Sequence, residues 1–441
     1  MKYSIVTFGC RVNQSDSLGF EEQFLAAGAR PAPSDIADVV VVNTCSVTAS
    51  ADQGARQTIR RIARTNPDAR IVVTGCYATR EADEVAKLPN VHCVVSNDLK
   101  PQLMNLVRSG QLTANDAGVP STTAVRFADG DGGCGAAIEP GVAGRTAFTL
   151  RVQTGCAEPC SYCIIPVTRG APRSASIAHI LSEASRVYAA GFKEVALTGV
   201  HLGSYGRDLE ARTNLFALLS ALRDRFTGAE AEGQAGVLFR ISSLEPMDCT
   251  DDVVKLVRDS SCFAPHFHLP LQHASSRMLQ AMRRPYDLTY YARLVDSIRR
   301  WIPNASIGSD LIVGFPGESS EDFEQLASYL ATSPLTHLHV FPYSDRPGTA
   351  ASEMGNRVAG TVVKERGARL RAIGAMLTRR FVASQVGTEH QALTIEDGSL
   401  VVTGNYLKVR IPPGLPRNTW VTVHIESSEP ELRGRLVTGV A

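Results

Sequence analysis

The chain has 441 residues, more than one compact core usually holds, so we expect two or three domains. Its 44% apolar content excludes wholesale disorder, and its formal net charge of +1 excludes a global attraction to nucleic acid. The first residues lack a charged leader followed by a long apolar stretch, and the apolar runs are too short to span a membrane. We therefore expect a cytoplasmic protein without a membrane partner, in which ten cysteines favour metal ligation over disulfides.

Residues 1–112 alternate short apolar runs with segments of helical length. The predicted strands are YSIVTF, DVVVVN, RIVVTG and HCVVS, and the predicted helices lie near 16–27, 49–64 and 80–87. This alternation predicts an α/β domain with a doubly wound parallel sheet. Residues 113–146, which are rich in Gly, Ala, Asp, Pro and Thr, are typical of a linker.

Residues 147–383 repeat the α/β pattern and residues 384–441 do not. Six strand and helix units in the first of these segments predict an open or partial (β/α)6 barrel, whose site lies at the carboxyl ends of its strands. The last segment contains short strands separated by Gly, Pro and Asn turns. It predicts a small five-stranded β-barrel.

Three closely spaced cysteines follow the first predicted strand of the barrel. Cys156, Cys160 and Cys163 stand in GCAEPCSYCIIP, and their spacing suits three ligands of a [4Fe–4S] cluster with one iron left open. Zinc is the competing metal, but a structural zinc site takes four protein ligands and no second pair follows at finger spacing. A cysteine loop without metal is the other alternative.

This motif resembles that of the radical S-adenosylmethionine superfamily. The resemblance implies that the open iron binds the amino and carboxylate groups of S-adenosylmethionine. It also implies that the reduced cluster cleaves this cofactor to a 5′-deoxyadenosyl radical. Such a radical removes hydrogen from a C–H bond that no side-chain acid or base could deprotonate.

Three further cysteines each end an apolar strand of the first domain. Cys10, Cys45 and Cys76 stand in TFGCRVN, VVNTCSVT and VVTGCYAT, about one strand and helix unit apart. Because parallel strands end at the same edge of a sheet, these cysteines can converge. The alternative is three buried cysteines without a ligand role.

A longer series of motifs resembles the methylthiotransferase family over nearly the whole chain. The series includes FGCRVN, NTCSVT, VTGCY, GCAEPCSYCIIP, RISSLEP, HLPLQHASSRML and FPYSDRPGT. The resemblance implies an auxiliary [4Fe–4S] cluster on Cys10, Cys45 and Cys76, a radical S-adenosylmethionine cluster on Cys156, Cys160 and Cys163, and a C-terminal TRAM barrel that binds RNA. FGC-basic-VN and NTC-Ser-VT are most similar to the branch that acts on N6-threonylcarbamoyladenosine in tRNA.

Four residues are candidates for binding S-adenosylmethionine: Tyr162 between the last two cysteines, and Gly199, Ser243 and Glu245 at predicted strand ends. The resemblance places Tyr162 against its adenine, and Gly199, Ser243 and Glu245 lie where they could meet its methionine moiety and ribose hydroxyls. For Tyr162 the alternative is an aromatic packed near a loop, and for the others a tight turn or a cap. His266 and His268 share one face of a strand, where satisfied core histidines are the simpler interpretation.

Two basic stretches and the last segment are candidates for RNA binding. Arg56, Arg60 and Arg64 form one helical stripe, and residues 357–380 carry seven basic side chains against Glu365. A solvated helix face is the alternative for both. The β-barrel offers an aromatic and basic mix suited to base stacking, namely Tyr406, Lys408, Arg410 and Trp420.

The sequence therefore predicts an iron–sulfur enzyme that adds a methylthio group to C2 of N6-threonylcarbamoyladenosine beside the tRNA anticodon. The expected cofactors are two [4Fe–4S] clusters and S-adenosylmethionine, and the expected partners are tRNA, an external electron donor and a sulfur donor. The alternatives are the same chemistry on isopentenyladenosine or a ribosomal protein, and a non-catalytic RNA-binding redox sensor. Cys134, in the linker, has no predicted role.

Overall fold

The computed structural model describes residues 1–109, 140, 146–227 and 236–437. Nearly all of the predicted linker, including Cys134, lies outside the described residues. No helix of the described residues is both long and apolar enough to cross a membrane.

The first domain is a parallel sheet with helices on both faces. Its elements in chain order are β1 (Lys2–Thr7), α1 (Arg11–Ala26), β2 (Arg30–Pro31), β3 (Val39–Thr44), α2 (Ala49–Thr65), β4 (Arg70–Gly75), α3 (Cys76–Arg80), α4 (Ala82–Ala86), β5 (Val91–Val95) and α5 (Leu103–Ser109). The strand order is β2-β1-β3-β4-β5, and all pairings are parallel. Strand β3 is buried along its whole length between two apolar clusters, as its run of four valines predicts.

Two predicted helices of this domain differ from the observed ones. Helix α1 begins at Arg11, not near residue 16, because the buried Asn13 side chain fixes its first turn by donating hydrogen bonds to the carbonyls of Phe8 and Thr44. The helix predicted near 80–87 is two short helices, α3 and α4, which meet at Glu81. The first of them begins directly at Cys76.

The second domain is a six-stranded parallel partial barrel. Its strands run in the order β6-β9-β10 and β11-β12-β13, and a bridge between Phe239 and Phe263 joins the two halves. The elements are β6 (Ala147–Arg151), β7 (Gln153–Thr154), α6 (Ile165–Arg169), β8 (Arg173–Ser174), α7 (Ile177–Ala189), β9 (Glu194–Thr198), α8 (Leu215–Phe226), β10 (Leu238–Ile241), α9 (Asp251–Arg258), β11 (His266–His268), α10 (Ser276–Ala281), α11 (Leu288–Trp301), β12 (Ser306–Val313), α12 (Ser320–Thr332), β13 (His337–Pro342) and α13 (Gly360–Ser384). Alternate strand residues enter one continuous apolar core beneath the helices, so the other face of each strand lines the lumen.

The last segment forms a closed five-stranded barrel, as predicted. Its strands are β14 (Glu389–Ile395), β15 (Leu400–Thr403), β16 (Lys408–Arg410), β17 (Trp420–Ser427) and β18 (Arg433–Leu436). This barrel contacts the loops that precede β9, β10 and β12: Asn418 donates to the Gly191 carbonyl, Trp420 to Gly236 and Asn405 to Asn304. It therefore covers the amino-terminal end of the larger barrel, opposite the end where the predicted site lies.

Candidate active site

The structure brings Cys10, Cys45 and Cys76 together at the carboxyl edge of the first sheet. Cys10 is exposed and precedes α1, whereas Cys45 and Cys76 are buried. Gly9 has a φ of +87°, and a Cβ atom there would lie 2.5 Å from Cys45 Sγ. Only glycine therefore allows the Cys10 loop to approach Cys45 this closely.

Basic side chains surround Cys76. Burial acts to raise the pKa of its thiol, but the cations of Arg169 and Lys100 outweigh that effect and lower the pKa below its ordinary value. Arg169 and Thr168 come from α6 of the larger barrel, only a few residues beyond Cys163. Asn97 connects the two domains here, because its side-chain nitrogen lies 3.7 Å from Cys76 Sγ and 2.8 Å from the Thr168 carbonyl oxygen.

The second cysteine set lies in the loop that follows β6 and β7. Cys156, Cys160 and Cys163 are partly buried. Burial raises the pKa of Cys156 to about 11 and that of Cys163 to about 12. Both thiols therefore favour the protonated form at neutral pH, and a metal must displace those protons to bind.

The sulfur atoms of each cysteine set can be compared with the spacing that a single metal ion requires. In the described part of the chain, the one His, Cys, Asp or Glu group whose ligand atoms all lie within 4.8 Å of one another is His268, Asp310 and His339. Thiolates bound to one zinc at about 2.3 Å would stand roughly 3.8 Å apart. Among the described residues, neither cysteine triplet has all its sulfur atoms within 4.8 Å of one another, so neither is as compact as the ligands of one zinc ion.

Arg284 connects the second cysteine set to a predicted cofactor residue. Its Nη1 lies 3.2 Å from Cys160 Sγ, its Nη2 donates to Glu245, and its Nε lies 3.1 Å from the Tyr286 hydroxyl. Sequence reasoning missed this buried arginine, because nothing in RRPY distinguishes it from the exposed Arg283.

The predicted S-adenosylmethionine residues surround the same end of the barrel. Tyr162 packs against the apolar cluster that contains Met278 and Phe315. Gly199 directly follows β9, and a Cβ atom there would lie 2.8 Å from the Leu202 side chain. Ser243 is exposed just beyond β10. The structure thus brings these residues and Glu245 to the strand ends beside the Cys156 loop.

The opposite wall of the lumen is polar. Asp310 Oδ1 accepts hydrogen bonds from His268 Nε2 at 2.9 Å and from His339 Nδ1 at 3.1 Å. Phe341, two residues beyond His339 on the same face of β13, is 39% exposed. His266 is a satisfied buried histidine, since its Nδ1 lies 2.8 Å from Ser306 Oγ.

Most of the predicted RNA-binding residues serve other roles. In the 357–380 stretch, Arg366 is buried against Glu318, and Arg369 pairs with Glu324. Tyr406 and Trp420 contact the larger barrel. Side chains from distant segments reach these positions and occupy part of the predicted RNA-binding surface, whereas Lys364, Arg371 and Arg379 of the same stretch remain exposed.

The stripe on α2 keeps part of its predicted exposure. Arg56 is bonded to the Tyr77 hydroxyl and to Glu84. Arg60, Arg61 and Arg64 are exposed, and no carboxylate of the described residues lies within ion-pairing distance of them. This helix therefore presents three exposed arginines on one side of the first domain.

Comparison with known proteins identifies the family. A model described as uncharacterized protein family UPF0004 matches residues 2–96, and a model of the radical SAM superfamily matches residues 150–330. The threonylcarbamoyladenosine tRNA methylthiotransferase MtaB of Aquifex aeolicus is 36% identical over 93% of this chain and 96% of its own. The chain belongs to the radical SAM tRNA methylthiotransferase family.

Other relatives fall in two branches of the methylthiotransferase family. MtaB of Bacillus subtilis is 35% identical over 91% of this chain and 88% of its own. The tRNA-2-methylthio-N(6)-dimethylallyladenosine synthase of Thermobifida fusca is 34% identical over 89% of this chain and 78% of its own. The family resemblance drawn from the motifs is thereby confirmed.

A solved structure supports the fold of this methylthiotransferase. The radical S-adenosylmethionine methyltransferase TsrM from Kitasatospora setae superimposes with a TM-score of 0.56 at 16% identity, covering 80% of this chain and 76% of its own. At this identity the likeness concerns the fold alone. It confirms the predicted radical SAM architecture.

Proposed function

We propose that this enzyme adds a methylthio group to C2 of N6-threonylcarbamoyladenosine beside the anticodon of tRNA. The observation that supports it most is the contact between the two cysteine sets: α6, which directly follows Cys163, lies against Cys76. Two sites for iron–sulfur clusters at one domain interface suit a reaction that needs both a radical and a sulfur carrier. The names of the relatives from A. aeolicus and B. subtilis favour this substrate.

The proposal assigns a role to each cysteine set. Cys156, Cys160 and Cys163 would hold a [4Fe–4S] cluster with one iron open to S-adenosylmethionine, and Cys10, Cys45 and Cys76 a second, auxiliary cluster. When bound, these clusters supply one electron and a site for sulfur. An external reductant and an external sulfur donor complete the chemistry.

Protein residues would hold the cofactor at the strand ends. Tyr162 offers a ring for its adenine, the main chain at Gly199 would meet the methionine moiety, and Ser243 and Glu245 offer oxygens to the ribose hydroxyls. Arg284 orients Glu245 and places a cation 3.2 Å from Cys160 Sγ. Such a contact stabilises the negative charge of a thiolate ligand.

Nucleoside mass spectrometry of tRNA tests the substrate. In cells that lack this protein, we expect the methylthio form of N6-threonylcarbamoyladenosine to disappear and its precursor to accumulate. The wild-type gene should restore the modification, and the Cys45→Ala gene should not. Loss of the methylthio form of isopentenyladenosine instead would contradict the proposal and favour the activity named for the T. fusca relative.

The exposed arginines of α2 give a prediction about tRNA affinity. Substituting Arg60, Arg61 and Arg64 together by alanine should weaken tRNA binding and reduce the slope of log affinity against log salt by about 2 to 3, since each lost phosphate contact removes about 0.7–0.9. Arg369→Ala is the control, because Arg369 already pairs with Glu324. An unchanged slope in the triple variant would show that these side chains only face solvent.

A further inference from the structure

A cavity that is open to solvent lies between the Cys10 loop and the lumen wall of the larger barrel. Its volume is about 480 Å³, and its lining includes Gly9, Arg11, Thr149, Glu194 and Tyr406. All three domains contribute to it, since Tyr406 comes from the turn between β15 and β16 of the small barrel. The cavity therefore exists only when the domains are assembled.

Two guanidinium groups, those of Arg240 and Arg11, flank the ring of Tyr406. Arg240 has a carboxylate partner, whereas Arg11 has none in the part of the chain that the structure describes. Arg240 lies 3.8 Å from the ring centroid, makes a two-pronged ion pair with Glu194, with contacts of 2.8 and 3.2 Å, and donates to main-chain carbonyls. Arg11 donates to the Tyr406 hydroxyl. Among the described residues, no carboxylate lies within 4.0 Å of the Arg11 guanidinium.

The charges around the cavity leave Arg11 uncompensated. Glu194 is neutralised by Arg240. Burial and the neighbouring cations lower the pKa of His266 well below its ordinary value, so its ring is neutral at pH 7. Arg11 is partly buried and faces the open cavity, so its guanidinium is free to pair with an anion that binds there.

We infer that Arg11 is a specificity-determining residue that binds the carboxylate of the threonylcarbamoyl substituent in this cavity. The inference rests on the function proposed above. This substituent ends in a carboxylate, which matches the planar fork of a guanidinium, whereas a dimethylallyl substituent is uncharged and offers arginine no partner. The cavity therefore discriminates between the two tRNA substrates by charge.

The position of Arg11 agrees with the chemistry of the base. C2 and C6 of adenine both flank N1, so the substituent on C6 lies on the same edge of the ring as the carbon that receives sulfur. A residue that binds the substituent must consequently lie near the residues that deliver sulfur. Arg11 directly follows Cys10, one of the proposed ligands of the auxiliary cluster. Gly9, which lies against the Cys45 thiol, lines the same cavity, so the cavity extends from that thiol to Tyr406 at the amino-terminal end of the larger barrel.

The test compares full-length reconstituted enzymes on anticodon stem–loop RNAs that carry either threonylcarbamoyladenosine or isopentenyladenosine. Arg11→Gln should lower kcat/KM on the first RNA by about 10- to 100-fold, the usual effect of losing a hydrogen bond to a charged group, and leave the second unchanged. Arg11→Lys should retain part of the rate, because lysine keeps the charge but not the fork. Arg30→Gln, on the exposed edge strand β2, is the matched control.

An esterified substrate isolates the proposed contact. Methylation of the threonylcarbamoyl carboxylate should reduce kcat/KM of the wild-type enzyme by the same factor as Arg11→Gln, and should cause no further loss in that variant. All variants should keep wild-type iron content and wild-type cleavage of S-adenosylmethionine.

Three other outcomes would contradict the inference about Arg11, and the last of them would also contradict the proposed function. An equal loss on both RNAs would show that Arg11 binds something they share, such as a phosphate, and would overturn the inference. Undiminished activity of Arg11→Gln on the threonylcarbamoyl RNA would do the same while leaving the proposed function intact. A wild-type enzyme that modifies only the isopentenyl RNA would overturn both.

Discussion

Replacing Cys160 by alanine is expected to abolish the release of 5′-deoxyadenosine, whereas replacing Cys45 should leave that release intact and stop methylthio transfer. The first substitution removes a proposed ligand of the cluster that binds S-adenosylmethionine, together with the contact to Arg284. The second affects only the set at the edge of the first sheet. The two losses therefore separate cofactor cleavage from sulfur delivery.

The measurements are 5′-deoxyadenosine by chromatography, methylthiolated nucleoside by mass spectrometry, and iron content. Anaerobically reconstituted wild-type protein should hold about eight irons, and alanine substitution of all three cysteines of either set should leave about four. Cys93→Ala is the control, because Cys93 lies within β5 and not at the strand ends. Release of 5′-deoxyadenosine at the wild-type rate by the Cys160 variant would refute this division of labour.

The fold was predictable because its strands and helices can be recognised from short, continuous segments of the sequence. Most strands of the parallel sheets are apolar runs, with β2 (Arg30–Pro31) and β11 (His266–His268) as exceptions, and most crossovers are segments of helical length, so their order along the chain defines the topology. The convergence of Cys10, Cys45 and Cys76 follows from the same rule, since parallel strands end at one edge.

Charged side chains were not predictable in this way, because their partners come from distant segments. From the sequence, Arg366 is predicted to belong to a basic surface stretch. In the structure it is buried against Glu318, which is 48 residues away in the sequence. Trp420 reads as a base-stacking residue, but its indole nitrogen donates to the Gly236 carbonyl at the domain boundary. Residues 357–380 therefore carry less free positive charge than the sequence suggests.

The ion network that joins the first two domains was not predicted from the sequence either, because its charged residues come from distant segments. Asp16 of α1 is buried, and it pairs with Lys100 of its own domain and with Arg151 and Arg169 of the larger barrel. Burial alone would raise the pKa of Asp16, but the three cations outweigh it and hold that pKa well below its usual range. The network lies directly behind Cys76, because Arg169 also interacts with that thiol.

Asp16→Ala should therefore destabilise the docked domains by about 3–5 kcal/mol at pH 7, since it leaves buried cations without a counter-charge. The carboxylate stabilises the fold above the pKa of an unfolded aspartate, about 3.9, and this contribution is lost as the pH falls toward the lowered folded value. The difference in thermal stability between the wild type and the variant should thus be full at pH 7 and shrink below about pH 4. Scanning calorimetry across this range measures it, with the exposed Asp35→Ala as the control. A variant as stable as the wild type at pH 7 would show that the cations find other partners, and that Asp16 does not hold the first domain against the larger barrel.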